Sequence, residues 1–226
     1  MRIVSRRSAG VIILAGLVTA ACAMERVVIE DWSRLPIGTE GVPPGWQGDI
    51  GARPAYDLTI VEEEGRKALH LKSTGESSRV IRRIRDKVNL ERTPVLEWSW
   101  KAIVLPKGGD LRGKATDDQV ATVYVGWLRG TTNLPTRVLG YVWDTTAPTE
   151  TTVRRSGAGT VTYIVVRSGA ADLGKWVTER RNVYQDFEKS YGVAPPDPTA
   201  IYLEIASNRT QSSAESYVGP IVFRER

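Results

Sequence analysis

Residues 94–128 read PVLEWSWKAIVLPKGGDLRGKATDDQVATVYVGWL, from Pro94 to Leu128, and hold two aromatic, β-branched runs around a polar, Gly-punctuated segment. In the first run Leu96, Trp98, Trp100 and Ala102 fall on one face, and Glu97, Ser99 and Lys101 on the other. In the second, Ala121, Val123, Val125 and Trp127 oppose Val120, Thr122, Tyr124 and Leu128. Such spacing predicts two neighbouring central strands with large apolar loads, and a loop ending in Asp117-Asp118 at one end of a sandwich core.

Outward from this pair, the same period of two recurs. Tyr56–Val61 and Ala68–Lys72 predict a hairpin around Glu62-Glu63-Glu64-Gly65. Val80–Ile84, Val138–Asp144, Thr160–Arg167, Ala200–Ile205 and Tyr217–Phe223 predict further strands, and Pro220 in the last suits an edge or a bulge. The segment TTAPTETTVRRSGAG reads as a polar linker. One helix is expected over about 182–191, where Val183, Phe187 and Tyr191 recur at helical spacing. Asn182 with Gln185 forms its cap, Gly192 its stop, and Pro195-Pro196 prevents continuation. Nine or so strands, one short helix and Gly/Pro-rich connections predict an all-β, two-sheet antiparallel sandwich of jelly-roll type.

The N-terminus reads as a processing signal. Arg2, Arg6 and Arg7 precede the apolar Val11–Val18, which is too short to span a bilayer comfortably, and small residues follow. The expectation is a signal peptide over 1–21 and a single β-sandwich domain over 22–226. The one cysteine, Cys22, stands at the junction where a bacterial lipoprotein receives its diacylglycerol, although Thr19 occupies a position where Leu is more usual. This predicts an exported protein of a Gram-negative-type bacterium, periplasmic or anchored to the outer membrane, touching membrane only through that lipid. A lone cysteine allows no internal disulfide, so the core alone must hold the fold. The formal charge is +5, but 31 basic residues less the three signal arginines leaves 28 against 26 acids. That balance is no footprint for nucleic acid. The basic cluster Arg79–Lys87 is expected to be a solvated strand face.

The order WSWK, a loop ending in DD, VYV, YVW, a strand ending in RSG, then WVTERRNVYQDFEKSYGVAPP and YVGPIVF resembles the bacterial domain-of-unknown-function family 3047. The likeness runs from about Trp32 to Phe223 and implies an exported β-rich protein of unassigned activity. Family members tend to carry an acidic, Asn-containing turn before the last strand; here the turn is Ala206-Ser207-Asn208-Arg209-Thr210, without the acids. A looser fold-level likeness to galactose-binding-like jelly rolls implies a last strand paired with the first.

Chemistry has few candidates. Asp117 and Asp118, with Asp110 in the same loop, could hold a structural calcium through hard oxygen ligands, or else cap backbone amides. Glycoside hydrolysis needs two acids flanking the sugar; Glu97, Asp118 and Glu204 are the weak candidates, and nothing in linear spacing brings two together. His70 is the sole histidine and no G-x-S-x-G elbow exists, which argues against a serine triad and against zinc. Seven Trp and eight Tyr against two Phe suit half-exposed positions where rings stack on sugars, although most of the seven Trp are expected to fill the core. Trp46, Trp143 and the adjacent Asp144 are the expected ligand contacts, whereas Trp98 and Trp100 are expected in the core. The reading is an exported envelope (lipo)protein, a non-catalytic binding module for a glycan or other envelope component. The alternatives are a glycan-active hydrolase or lyase and a structural lipoprotein with a protein partner.

Overall fold

The computed structural model describes residues 25–48, 56–128, 135–157 and 159–226. Residues 1–21 and Cys22 lie outside them. Two stacked sheets form around the predicted central pair. The first sheet runs in the order β11 (Val177–Asn182), β6 (Val95–Val104), β13 (Ser213–Arg224), β4 (Arg66–Thr74) and β3 (Leu58–Glu63), with β1 (Arg26–Glu30) also on β13. The second runs β2 (Gln47–Gly48), β5 (Ser77–Arg83), β12 (Ala200–Ala206), β7 (Ala121–Leu128), β8 (Pro135–Asp144), β10 (Thr160–Ser168) and β9 (Thr152–Ser156). The helix α1 spans Val183–Tyr191.

The inward faces are those the alternation marks. Trp98 and Trp100 are fully buried, and Trp98 stacks on Tyr141 at 5.3 Å while Trp100 meets Trp143 at 5.7 Å. From the facing sheet Val123, Val125, Ile201, Leu203 and Ile205 close the same core. Burial of this apolar surface, at about 25 cal/mol per Å², is the main drive for the two layers to stack. The helix packs Val183 and Phe187 inward; Asn182 Oδ1 accepts from the Gln185 amide at 3.0 Å, and Gly192 ends it with φ of 72°. The β3–β4 hairpin turns at Glu64 and Gly65, both at positive φ, as a two-residue turn requires.

Pro220 sits at a bulge. β13 pairs with β4 up to Val218 and with β1 from Ile221 on, and its register on β6 shifts between Val218 and Ile221. Trp32 Nε1 donates to the Gly219 carbonyl at 3.0 Å, so the bulged carbonyl is satisfied. The first and last strands do pair.

Four expectations are corrected. The sandwich is not wholly antiparallel: β8 and β10 are parallel neighbours. The supposed linker holds β9, the return stroke that lets β10 insert beside β8 in the same direction. β11 and β2 were not expected as strands, because Glu179, Arg180 and Arg181 on an edge carry no apolar alternation. The basic cluster is also not uniformly solvated. Ile81 and Ile84 are buried, and Arg82 turns inward to pair with Glu30.

Candidate ligand-binding site

The outward face of the second sheet carries a row of side chains at one level. Pairing places Ile81, Tyr202, Tyr124, Gly140, Tyr163 and Val153 side by side across β5, β12, β7, β8, β10 and β9. The two missing side chains make room for rings. A Cβ at Gly140 would stand 2.9 Å from two carbons of the Tyr124 ring, and one at Gly126 would stand 2.5 Å from Tyr202 Cε2. The tyrosines lie over the glycines and meet edge to face, at 6.0 Å for Tyr124–Tyr163 and 6.1 Å for Tyr124–Tyr202. Tyr124 and Tyr202 are buried; Tyr163 is half-buried.

One level along, Glu204 stands between Arg79 and Thr122. Its Oε1 accepts from Ser77 Oγ at 2.9 Å and its Oε2 from the Tyr124 hydroxyl, with Arg79 Nε at 4.0 Å. The loop before β7 brings a second carboxylate. Asp117 Oδ1 accepts from Gln119 Nε2 at 2.8 Å, and Oδ2 forms an ion pair with Arg155 Nη2 at 2.9 Å. Asp117, Glu204, Tyr124, Tyr163, Asn208 and Arg209 line a pocket of about 310 Å³.

Burial pushes the Asp117 carboxyl above its ordinary value and Glu204 adds to the rise, against the pull of Gln119 and Arg155. Burial, then the Glu204 charge, raises Tyr124 well above the usual phenol value and Tyr163 to about 12. Both hydroxyls therefore stay protonated, and that of Tyr124 donates to Glu204.

Two buried aspartates build the rim. Asp118 accepts from the amides of Arg209 (3.1 Å) and Thr210 (2.6 Å) and from Thr210 Oγ1 (2.7 Å), tying the 117–120 segment to the turn after β12. Asp144 accepts from the amides of Leu111 (2.9 Å), Thr146 (2.8 Å) and Ala147 (2.6 Å). That contact seats Leu111, fully buried, on Val142 and Val165 of the outward face. Arg155 reaches over from β9, donates to the Leu111 carbonyl at 2.6 Å and forms the ion pair with Asp117.

Of the sequence candidates, Glu204 alone among the three hydrolytic acids lines this pocket, with Asp117 as its neighbour. Glu97 lies on the other sheet and pairs with Arg180 at 2.5 Å and Arg224 at 2.7 Å. Asp118 is spent on the turn. The three loop aspartates do not converge as ligands: Asp110 pairs with Arg112 at 2.7 Å, and among the described residues no group of three acidic, His or Cys side chains is placed to hold a metal. Trp46 and Trp143 are buried, contrary to expectation. Trp46 Nε1 donates to Glu30 Oε2 at 3.1 Å, Trp143 Nε1 to the Gly169 carbonyl at 3.2 Å, and Asp144 holds loops. His70, on the first sheet, stacks on Tyr217 at 4.3 Å and bonds Glu215 at 2.8 Å. The tyrosines, Ser77, Arg79 and Arg155 were missed. The signal was Tyr124 on the polar face of β7 with Gly126 two residues on.

Residues 45–222 match the family described as "Protein of unknown function (DUF3047)". The chain belongs to that family. No curated protein matches this DUF3047 chain. Among solved structures it is similar to a family 11 carbohydrate-binding module from Clostridium thermocellum in complex with a mixed-linked tetrasaccharide. That match has 11% identity and TM-score 0.45, over 89% of this chain and 96% of that one. It is also similar to a thermo-stable cellulase derived from that of Rhodothermus marinus (10%, TM-score 0.47, 90% and 100%). A third is a xylan-binding domain from Paenibacillus barcinonensis (16%, TM-score 0.38, 92% and 99%).

Proposed function

We propose that this is an exported, non-catalytic glycan-binding protein whose ligand sits in the pocket between Asp117 and Glu204. The observation that carries the reading is that both carboxylates are held from behind by protein donors, Ser77 and Tyr124 for one, Gln119 and Arg155 for the other. A carboxylate oxygen with one protein donor keeps a lone pair, and vicinal sugar hydroxyls present donors in matching pairs. Asn208 and Arg209 add polar groups at the rim, and the half-buried Tyr163 ring offers an apolar patch for a sugar's C–H face. All four carboxylate oxygens are engaged by protein, which suits fixed acceptors better than a proton shuttle.

The test is calorimetry of the mature domain against soluble β-glucan, xylan, mannan and galactan. Glu204→Gln removes one charged acceptor, worth about 1.5–3 kcal/mol, and is expected to weaken binding roughly ten- to hundred-fold. Unchanged affinity in that variant removes the pocket from the account. A second reading, glycoside hydrolysis, is favoured by one fact: Asp117, raised by burial, shares its pocket with Glu204. New reducing ends in the same incubations would establish it.

The address is part of the proposal: residues 1–21 act as an export signal ahead of one domain, and Cys22 carries a lipid that holds the protein to the envelope. Cys22→Ala is expected to release it into the soluble fraction. A variant still bound to membrane contradicts the anchor.

A further inference from the structure

The pocket is a corner rather than a groove. Across the strands, the outward face is roofed on β8 and β10, where Leu111 rests on Val142 and Val165. The roof is fixed at three points: the Leu111 amide on Asp144, the Leu111 carbonyl on Arg155, and Asp117 on the same Arg155. Along the strands, the face ends at the turn after β12, where Asn208 and Arg209 line the pocket and Asp118 clamps the Arg209 and Thr210 amides. The two walls meet beside Asp117. An extended chain lying on this face and reaching Glu204 has its further course blocked in both directions.

The volume agrees. About 310 Å³ lies at the lower limit of the roughly 300–1,000 Å³ that small-molecule sites span. That is room for a short, compact group with several hydroxyls, not for a run of sugar units. Recognition is also confined to this corner, because both carboxylates and the tyrosines Tyr124 and Tyr163 line it.

We infer that the site takes the end of a glycan, its terminal sugar and at most the next unit, and not the interior of a chain. This deepens the glycan-binding reading and rests on it. The terminal unit enters the corner with its hydroxyls on Asp117 and Glu204, and the rest of the chain leaves toward solvent. The count of binding places on a polysaccharide is then its number of ends.

The experiment uses whichever of soluble β-glucan, xylan, mannan or galactan retains the mature domain, intact and after partial acid hydrolysis. At equal mass, hydrolysis multiplies ends without changing the number of sugar units. Bound protein at saturation is expected to rise in proportion to the new ends. Oligosaccharides of two to six units are expected to bind within about two-fold of one another, because contacts beyond the second unit add nothing. Saturation that follows mass, or affinity that climbs about ten-fold or more between two and six units, overturns the inference. If Glu204→Gln still weakens binding ten-fold or more in that case, the pocket stands and only its end-on character falls. No retention by any of the four polymers overturns both.

Discussion

Glu30 is the carboxylate on which both sheets converge at their N-terminal edge, and its removal should unfold the protein at markedly lower temperature. It is buried at the end of β1. Its Oε1 accepts from the amides of Asp31 (3.1 Å) and Trp32 (3.0 Å). Its Oε2 accepts from Trp46 Nε1 (3.1 Å) and from the Arg82 guanidinium of the opposite sheet. Glu30→Ala leaves the Trp32 amide and the Trp46 indole without an acceptor, at about 1–3 kcal/mol for each buried donor. Arg82 remains about one-quarter exposed and can reach water, so its share is small. The two donors together amount to about 2–6 kcal/mol. For a chain of this size each kcal/mol moves Tm by about 2–4 °C, so the expected drop is roughly 4–24 °C. Glu30→Gln should be nearly as severe, because its NH2 group faces Trp46 and Arg82, which both donate. The comparison is Glu97→Ala, whose partner Arg180 is mostly exposed and whose loss should cost less than about 1 kcal/mol per ion pair. Thermal melts of the three variants give the answer. A Glu30→Ala midpoint no lower than that of Glu97→Ala would refute the reasoning.

Gly140→Ala should destabilise by about 1–3 kcal/mol, since the new methyl meets the Tyr124 and Tyr163 rings rather than a flexible chain end; a neutral urea midpoint would show that the rings move freely. Alkaline titration should weaken the fold. Tyr124, Tyr141 and Tyr163 ionise in the unfolded chain near the ordinary value of about 10 but later when folded, so the folded state holds more protons. Stability is then intact below about pH 10 and is lost as pH rises towards about 12, with the tyrosinate absorbance of these three appearing only on unfolding. The chain has eight tyrosines, so absorbance worth more than five of them before the unfolding transition would contradict the burial of these hydroxyls. Glycan affinity should fall with decreasing pH at values above the ordinary aspartate range of about 3.9, because the raised Asp117 takes up its proton early and loses acceptor strength. Asp117→Asn should flatten that limb; an unchanged profile would assign it to another group.

Local alternation carried most of the fold. Trp98, Trp100, Val123 and Val125 are in the core because a period of two allows them only one side of a pleat. The helix was legible because Asn182, Gln185 and Gly192 act within a few residues of one another. What failed was set by partners distant in sequence. The parallel insertion of β10 beside β8 and the pairing of β11 with β6 depend on sheet order, which no local pattern encodes. Trp46 and Trp143 looked exposed from their Gly, Pro and Asp neighbours, yet each buries its ring and spends its indole N–H on an acceptor, Glu30 in one case and the Gly169 carbonyl in the other. The site was only half visible for the same reason. Asp117 and Glu204 could each be picked out as acids, but what joins them is the register of β12 on β7, which lays Glu204 opposite Thr122, and an arginine from the edge strand β9.

The most direct measurement is an NMR titration of the labelled mature domain with the polysaccharide fragment that binds it. The largest shifts are expected at Tyr163, Asn208, Arg209 and Gln119, around the pocket on the second sheet. Shifts gathered instead on the outward face of the first sheet, at His70, Tyr217 and Trp176, would contradict the account.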